Sequence, residues 1–259
     1  MSNINEFELS NLYKRDTYLN KDYKRMFNVD IYEYDMHHAG ISICKEFTLI
    51  PRATIDEIER TSKDKREIAV KLGKLQKKYK EFRDGLKEGF VRARKLFFED
   101  NKLEDTDILS IKKDAIFTLR PCDKLRFGEI LFVEKNHYTS YIYTGKYEFY
   151  YNVNKLDIKG IGETSLFKHK DFMMKIIEKF FSIREMGDNT DAIKYIMAVI
   201  NNYKHLKYDW QYYRQFGEGT DFLSKDGISY TEIGNDMLPN IFIHTNYDRV
   251  LLPLLKSVL

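Results

Sequence analysis

Two aspartates at the ends of strand-like runs carry the chemistry this sequence suggests. Asp35 follows Tyr32-Glu33-Tyr34 and precedes Met36-His37-His38-Ala39. Asp114 follows Ile108-Leu109-Ser110-Ile111-Lys112-Lys113 and precedes Ala115-Ile116-Phe117. Two carboxylates brought side by side repel unless they share a cation. Two divalent ions held between them, about 3.5–4 Å apart, would activate an attacking hydroxyl and stabilise a leaving phosphate oxygen. Hard oxygen ligands suit Mg²⁺, with Mn²⁺ as an alternative. Taken singly, each aspartate has a plainer reading as the cap of a turn or helix.

Other residues add to this picture with less force. His37 and His38 follow Asp35 directly, but adjacent residues point different ways in regular structure. They read better as a helix start than as a metal pair. Tyr138, Tyr141, Tyr143, Tyr147, Tyr150 and Tyr151 suit base stacking, or equally cross-strand pairing in a sheet. Lys159-Gly160 suits a close approach to a phosphate backbone, or a plain turn. Lys168, His169 and Lys170 read as exposed helix residues. No phosphate-binding G-x-x-x-x-G-K loop, nucleophile elbow or H-E-x-x-H helix is present.

Three segments resemble family B DNA polymerases. Asp35-Met36-His37-His38-Ala39-Gly40-Ile41-Ser42-Ile43 is similar to a relaxed motif A, where an aspartate precedes a turn, a tyrosine, a proline and a serine before an apolar helix. Lys112-Lys113-Asp114-Ala115-Ile116-Phe117 resembles motif C, an Asp-Thr-Asp-Ser hairpin followed by an apolar pair. Tyr147 to Gly160 is similar to the passage from palm to thumb. The resemblance covers roughly residues 27 to 165 and implies template-directed nucleotidyl transfer. It implies that Asp35 and Asp114 ligate Mg²⁺; Lys71, Lys74 and Lys78 offer helical replacements for the family's missing motif B lysine in binding a nucleoside triphosphate. Gly40 would lie at the incoming sugar, and Lys159 and Gly160 at the primer strand of a DNA or RNA primer-template.

The departures from that pattern matter. Lys112 replaces the first motif C aspartate. Gly40 replaces the tyrosine beneath the sugar, so acceptance of ribonucleotides is expected. The lysine–asparagine pattern of motif B is absent in its usual form. Too few residues precede Asp35 for an exonuclease cluster, so no proofreading is expected. These losses support an alternative: a catalytically degenerate, polymerase-derived nucleic-acid-binding or assembly subunit, working with other replication proteins. A further alternative is an interaction protein with no nucleic-acid partner.

Hydrophobic periodicity supplies the elements that would position these residues. Residues 1 to 25 read as a polar arm with a short helix. A strand over 27–34 ends at Asp35, and a helix follows from Ala39 and closes before Pro51. From Lys65 to about Asp100 apolar residues recur every three or four positions, as one helix or two joined near Arg83 to Gly85. Strands are expected over 108–110, 115–119, 129–133, 138–143, 147–151 and 156–162, with Thr144-Gly145-Lys146 as a hairpin turn. Helices return from about Ser165, with one face on Phe172, Ile176, Ile177 and Phe180 and another on Ile193, Ile196, Met197 and Ile200. A turn-rich stretch from Gly217 to Pro239 precedes a last helix near 248–258. The expected fold is α+β: an antiparallel palm-like sheet over 1–165, helical fingers inserted at about 51–100, and a helical thumb-like region over 166–259.

Composition bounds the class. A chain of 259 residues with 43% hydrophobic and 32% charged residues can bury one large core or two modest ones. The net charge of +3 decides little, but lysines and arginines crowd between Lys63 and Lys95, which suits either a polyanion or a solvated helix face. Cys44 and Cys122 sit in apolar surroundings and show no zinc spacing, so reduced buried thiols are expected. No apolar run reaches the ~20 residues of a membrane span, and the polar amino terminus does not read as a signal peptide. A cytoplasmic protein is expected, of the host cytoplasm if viral.

Overall fold

The computed structural model describes residues 9–160, 170–187, 189–205, 207–208 and 251–258. The fold is α+β, built on antiparallel strand pairs. The chain forms two compact units, Met1–Asn20 with Asp30–His137, and Lys21–Val29 with Tyr138–Leu259. The chain passes between units after Asn20 and then twice within long strands, rather than once at the boundary expected near 165. The stretch 217–239, and Lys168 and His169, lie outside the described residues.

In the first unit, β1 (Thr17–Leu19), β3 (Ile108–Lys112), β4 (Ala115–Thr118), β2 (Arg25–Met36) and β6 (Ile130–Tyr143) lie in that order, and β5 (Arg126–Phe127) pairs with β6. The apolar run Ala115-Ile116-Phe117 makes β4 a strand buried at every position, as such runs do between covered faces. Helix α1 (Ala39–Glu46) follows β2, and α2 (Arg52–Arg60), α3 (Lys65–Lys78) and α4 (Lys80–Asp100) follow it. Asp64 caps α3 by accepting from the Glu67 N–H at 2.9 Å. The helical break falls at Tyr79, earlier than Arg83–Gly85, and no glycine or proline marks it.

Helix α4 is a core element rather than a projecting finger. Its face of Phe82, Leu86, Phe90, Ala93, Phe97 and Phe98 is buried. Phe97 meets Phe132 at 4.5 Å and Tyr34 at 5.4 Å between ring centroids. Burial of such a ring stabilises a core by about 3–5 kcal/mol relative to alanine. Cys44 and Cys122 are free and buried in this unit, and burial pushes both thiols up to about 12.

In the second unit, β6 continues past Tyr138 as one strand where two were expected, and β7 (Glu148–Asn152) and β8 (Lys155–Lys159) complete a meander. Helices α5 (Lys170–Met186), α6 (Asn189–Lys204) and α7 (Leu252–Val258) share a core with these strands. Met173, Ile176, Ile177, Phe180 and Phe181 form the buried stripe of α5. The face of α6 is rotated from expectation: Ala192, Ile196, Val199 and Ile200 are buried, whereas Met197 is 52% exposed. Tyr138, Tyr141, Tyr147 and Tyr150 are fully buried, and Tyr141 stands opposite Tyr150 across the strands with rings 5.0 Å apart. These tyrosines pack the sheet, so base stacking on them is ruled out by burial.

Candidate functional site: a paired-aspartate cleft

The first unit places Asp35, near the end of β2, beside the turn that holds Asp114. Asp35 is the register partner of Ala115, and the Met36 N–H donates to the Asp114 carbonyl at 3.0 Å. The chain then leaves the sheet: the His37 N–H donates to the Leu131 carbonyl at 2.7 Å, and His38 adopts a left-handed φ of 47° to start α1. The Ser42 hydroxyl closes this turn by donating to the His37 carbonyl at 2.9 Å.

Asp114 lies in the two-residue turn Lys113-Asp114 between β3 and β4. Lys113 has φ 60°, a conformation that costs a side-chain-bearing residue about 1–2 kcal/mol. Arg94 holds it there. This guanidinium is fully buried and donates to the Tyr13 carbonyl at 2.7 Å, the Lys113 carbonyl at 2.8 Å and the Asp16 carboxylate at 3.0 Å. The Lys113 N–H in turn donates to the Asp16 carbonyl at 2.7 Å. Burial lowers the arginine's pKa, opposed by the Asp16 bond and by the charges of Asp16 and Asp114.

Asp35 is 18% exposed and pairs with the half-exposed Lys135 ammonium at 3.0 Å. The hydrogen bond from Lys135 to Asp35 raises the lysine's pKa against the effect of burial, aided by the charges of Asp35, Glu33 and Asp114. Lys135 is therefore a cation that answers three carboxylates. Glu33 is buried and accepts from the Asn136 amide.

A cleft of about 230 Å³ opens beside Asp114. The start of α1, the face of α3 carrying Lys65, Leu72 and Gln76, and Phe90 of α4 form its walls, with Lys113 at the hairpin. Lys113 lies 5.2 Å from the Phe90 ring centroid. Burial lowers the pKa of His38, helped by His37 and Lys65, although Glu59 opposes it; the ring is thus neutral near pH 7. The volume is below the ~300–1,000 Å³ usual for a whole ligand, so a nucleotide would place only part of itself here.

Several expected site residues stand elsewhere. Lys71, Lys74 and Lys78 share α3 with the cleft residues but do not line it; Lys71 donates to the Thr61 hydroxyl at 2.7 Å, and Lys78 lies 5.1 Å from the Tyr79 ring centroid. A helix turns 100° per residue, so these lysines point off the Leu72–Gln76 face. Lys65 takes the cation position instead. Gly40 does line the cleft, and its lack of a side chain has a packing reason: a Cβ there would meet Leu72 at 2.7 Å. Lys159 and Gly160 belong to the second unit. Lys159 pairs with Glu148 across β7 and β8, while Gly160, at φ 88°, lets the strand exit pass where a Cβ would come within 2.9 Å of the Lys146 carbonyl.

Sequence reasoning missed Arg94, Lys135, Lys65 and Lys113. Arg94 was detectable, because it falls in phase with Phe90 and Phe97 on the apolar face of α4. Lys135 was not, because only strand pairing brings it to Asp35.

Among the described residues no group of three or more His, Cys, Asp or Glu is placed to hold a metal ion, and no helix is long and apolar enough to cross a membrane. No curated protein matches the chain. The family model described as Bacteriophage PBS1 gene 130 protein, a description that names no activity, matches residues 8–259. The chain belongs to this phage protein family.

Proposed function

We propose that the cleft binds a nucleoside triphosphate through a divalent cation held by Asp35 and Asp114, and that it serves template-directed nucleotidyl transfer on a DNA or RNA primer-template. One observation carries this reading: Asp35 ends a strand that pairs in register with Ala115, the residue after Asp114, and Asp114 borders a cleft whose other charged groups are Lys65 and Lys113. Carboxylate oxygens from both aspartates fit a hard divalent ion such as Mg²⁺ or Mn²⁺. Once bound, the ion would polarise a phosphate oxygen and lower the pKa of an attacking hydroxyl. Lys65 and Lys113 neutralise phosphate charge, and the Leu72–Phe90 wall excludes water from the sugar or base. The likeness to family B polymerases supports the same assignment. The phage family fits a protein that acts in the host cytoplasm beside other replication proteins.

A second reading has its own support. Lys135 already neutralises Asp35 at 3.0 Å, and Lys112 stands where the resemblance calls for a carboxylate. A catalytically degenerate nucleic-acid-binding subunit would look this way.

Primer extension separates the two. The enzyme reading predicts Mg²⁺-dependent extension of a primed template, abolished by Asp35→Asn and by Asp114→Asn. No extension by the wild type, with unchanged salt-dependent nucleic-acid binding in both variants, would instead establish the degenerate subunit.

A further inference from the structure

The second unit carries a basic pocket that the cleft does not explain. It has a volume of about 550 Å³, and Lys24, Arg25 and Lys256 line it together with Tyr143, Thr144 and Gly145. No carboxylate is found among its described lining residues. Its three cations are exposed and come from different places: the entry to β2, the first residue of β2, and the last turn of α7. A concave surface lined by one sign of charge focuses the field and concentrates counter-ions.

The pocket is held rigidly where it needs to be. The Tyr143 N–H donates to the Lys24 carbonyl at 2.9 Å, fixing the strand start that bears Lys24 and Arg25. The Tyr143 hydroxyl donates to the Gly145 carbonyl at 2.8 Å and pins the turn. Leu251, Leu254 and Leu255 are buried in the unit's core and anchor α7, so Lys256 is presented at the pocket. Among the described residues neither Lys24 nor Lys256 has a carboxylate within ion-pair distance. Flexible ammonium groups from separate elements suit a row of phosphates rather than one compact anion, each lysine meeting a phosphate as a point charge. The half-buried Tyr143 ring beside them suits a base.

We infer that this pocket binds consecutive phosphates of a nucleotide chain, independently of the Asp35–Asp114 cleft. The phosphates have two sources, a single-stranded nucleic-acid backbone or a free polyphosphate, and the test has an arm for each. Anisotropy of a labelled 12-nucleotide single strand is measured with the full chain at several salt concentrations, and inorganic tripolyphosphate is titrated as a competitor and as a ligand in its own right. The Lys24→Glu, Lys256→Glu double variant should weaken oligonucleotide binding by roughly tenfold or more and reduce the log–log salt slope by about 1.4, two phosphates at ≈ 0.7 each. Lys24→Gln, Lys256→Gln should show a smaller loss of the same sign and guards against a folding defect. Lys194→Glu, at an exposed position of α6 outside the pocket, should bind like the wild type, which separates this pocket from a general loss of positive charge. Tripolyphosphate binding that is lost in the double variant, without oligonucleotide binding, would identify free polyphosphate as the source. Equal binding of both probes by wild type and double variant, or binding of neither by the wild type, would overturn the inference.

Discussion

Asp35 in the first unit and Asp157 in the second are both strand residues beside a lysine, but they are held differently. Asp157 accepts from the Tyr138 hydroxyl and pairs with Lys155 at 3.1 Å. Its neighbours follow the same rule: Tyr150 donates to Glu148 at 2.8 Å, and Thr139 and Ser140 each donate to Glu185 at 2.6 Å. Hydroxyls on packed strands fix these acids as scaffold. Asp35 instead meets the end of a long, half-exposed lysine at 3.0 Å, and Asp114 borders a cleft. An ammonium on a flexible stem can be exchanged for a mobile cation, whereas a buried tyrosine cannot. The nature of the partner thus distinguishes an acid that supports the fold from one available for chemistry.

The largest expected effect tests what holds the first unit's site in shape. Arg94→Met strands the Tyr13 and Lys113 carbonyls and should destabilise the protein by about 3–5 kcal/mol, read by denaturant unfolding. Cys44 and Cys122 report the same event, because thiols held near 12 stay unreactive at pH 8 until that unit opens. Labelling should be faster in Arg94→Met than in the wild type. A loss under about 1 kcal/mol with unchanged labelling would show that the hairpin stands without its clamp.

A smaller effect with a pH signature is expected in the second unit. Burial pushes the Asp157 carboxyl up, but the bonds from Tyr138 and Lys155, with the charges of Lys159 and Lys155, outweigh it and leave the pKa below its usual 3.8. A depressed carboxylate stabilises the fold above the unfolded value and loses that contribution as pH falls through the folded value. Asp157→Asn should therefore cost about 1.5–3 kcal/mol at pH 7, and the gap from wild type should close below about pH 4. A gap that stays constant down to pH 2 would assign the loss to packing instead. Smallest of all, Asp35→Asn should change stability by under about 1 kcal/mol; a larger destabilisation would make Asp35 scaffold and erase the contrast with Asp157.

Much of the first unit was legible because its signals are local. Alternation over Phe27–Tyr34 and the apolar run after Asp114 each fix an element within a few residues. The pairing of the strand that reaches Asp35 with the strand that follows Asp114 was readable in outline, since a strand, helices and a hairpin in that order favour it. The cations around them were not, because Lys135 and Lys65 reach the site only through strand pairing and helix phase. Lysines on α3 look alike in sequence, and their direction depends on where Leu72 packs against Gly40. The rotated face of α6 has the same origin: Met197 and Val199 are both apolar, and only the tertiary partners decide which is buried.

The most direct measurement is Mn²⁺ binding followed by electron paramagnetic resonance on wild type, Asp35→Asn, Asp114→Asn and Lys135→Met. A cation shared by the two aspartates predicts saturable binding in the wild type, its loss in both asparagine variants, and tightening by up to about fivefold in Lys135→Met as the competing ammonium is removed. Equal Mn²⁺ binding in the wild type and both asparagine variants would contradict a shared site.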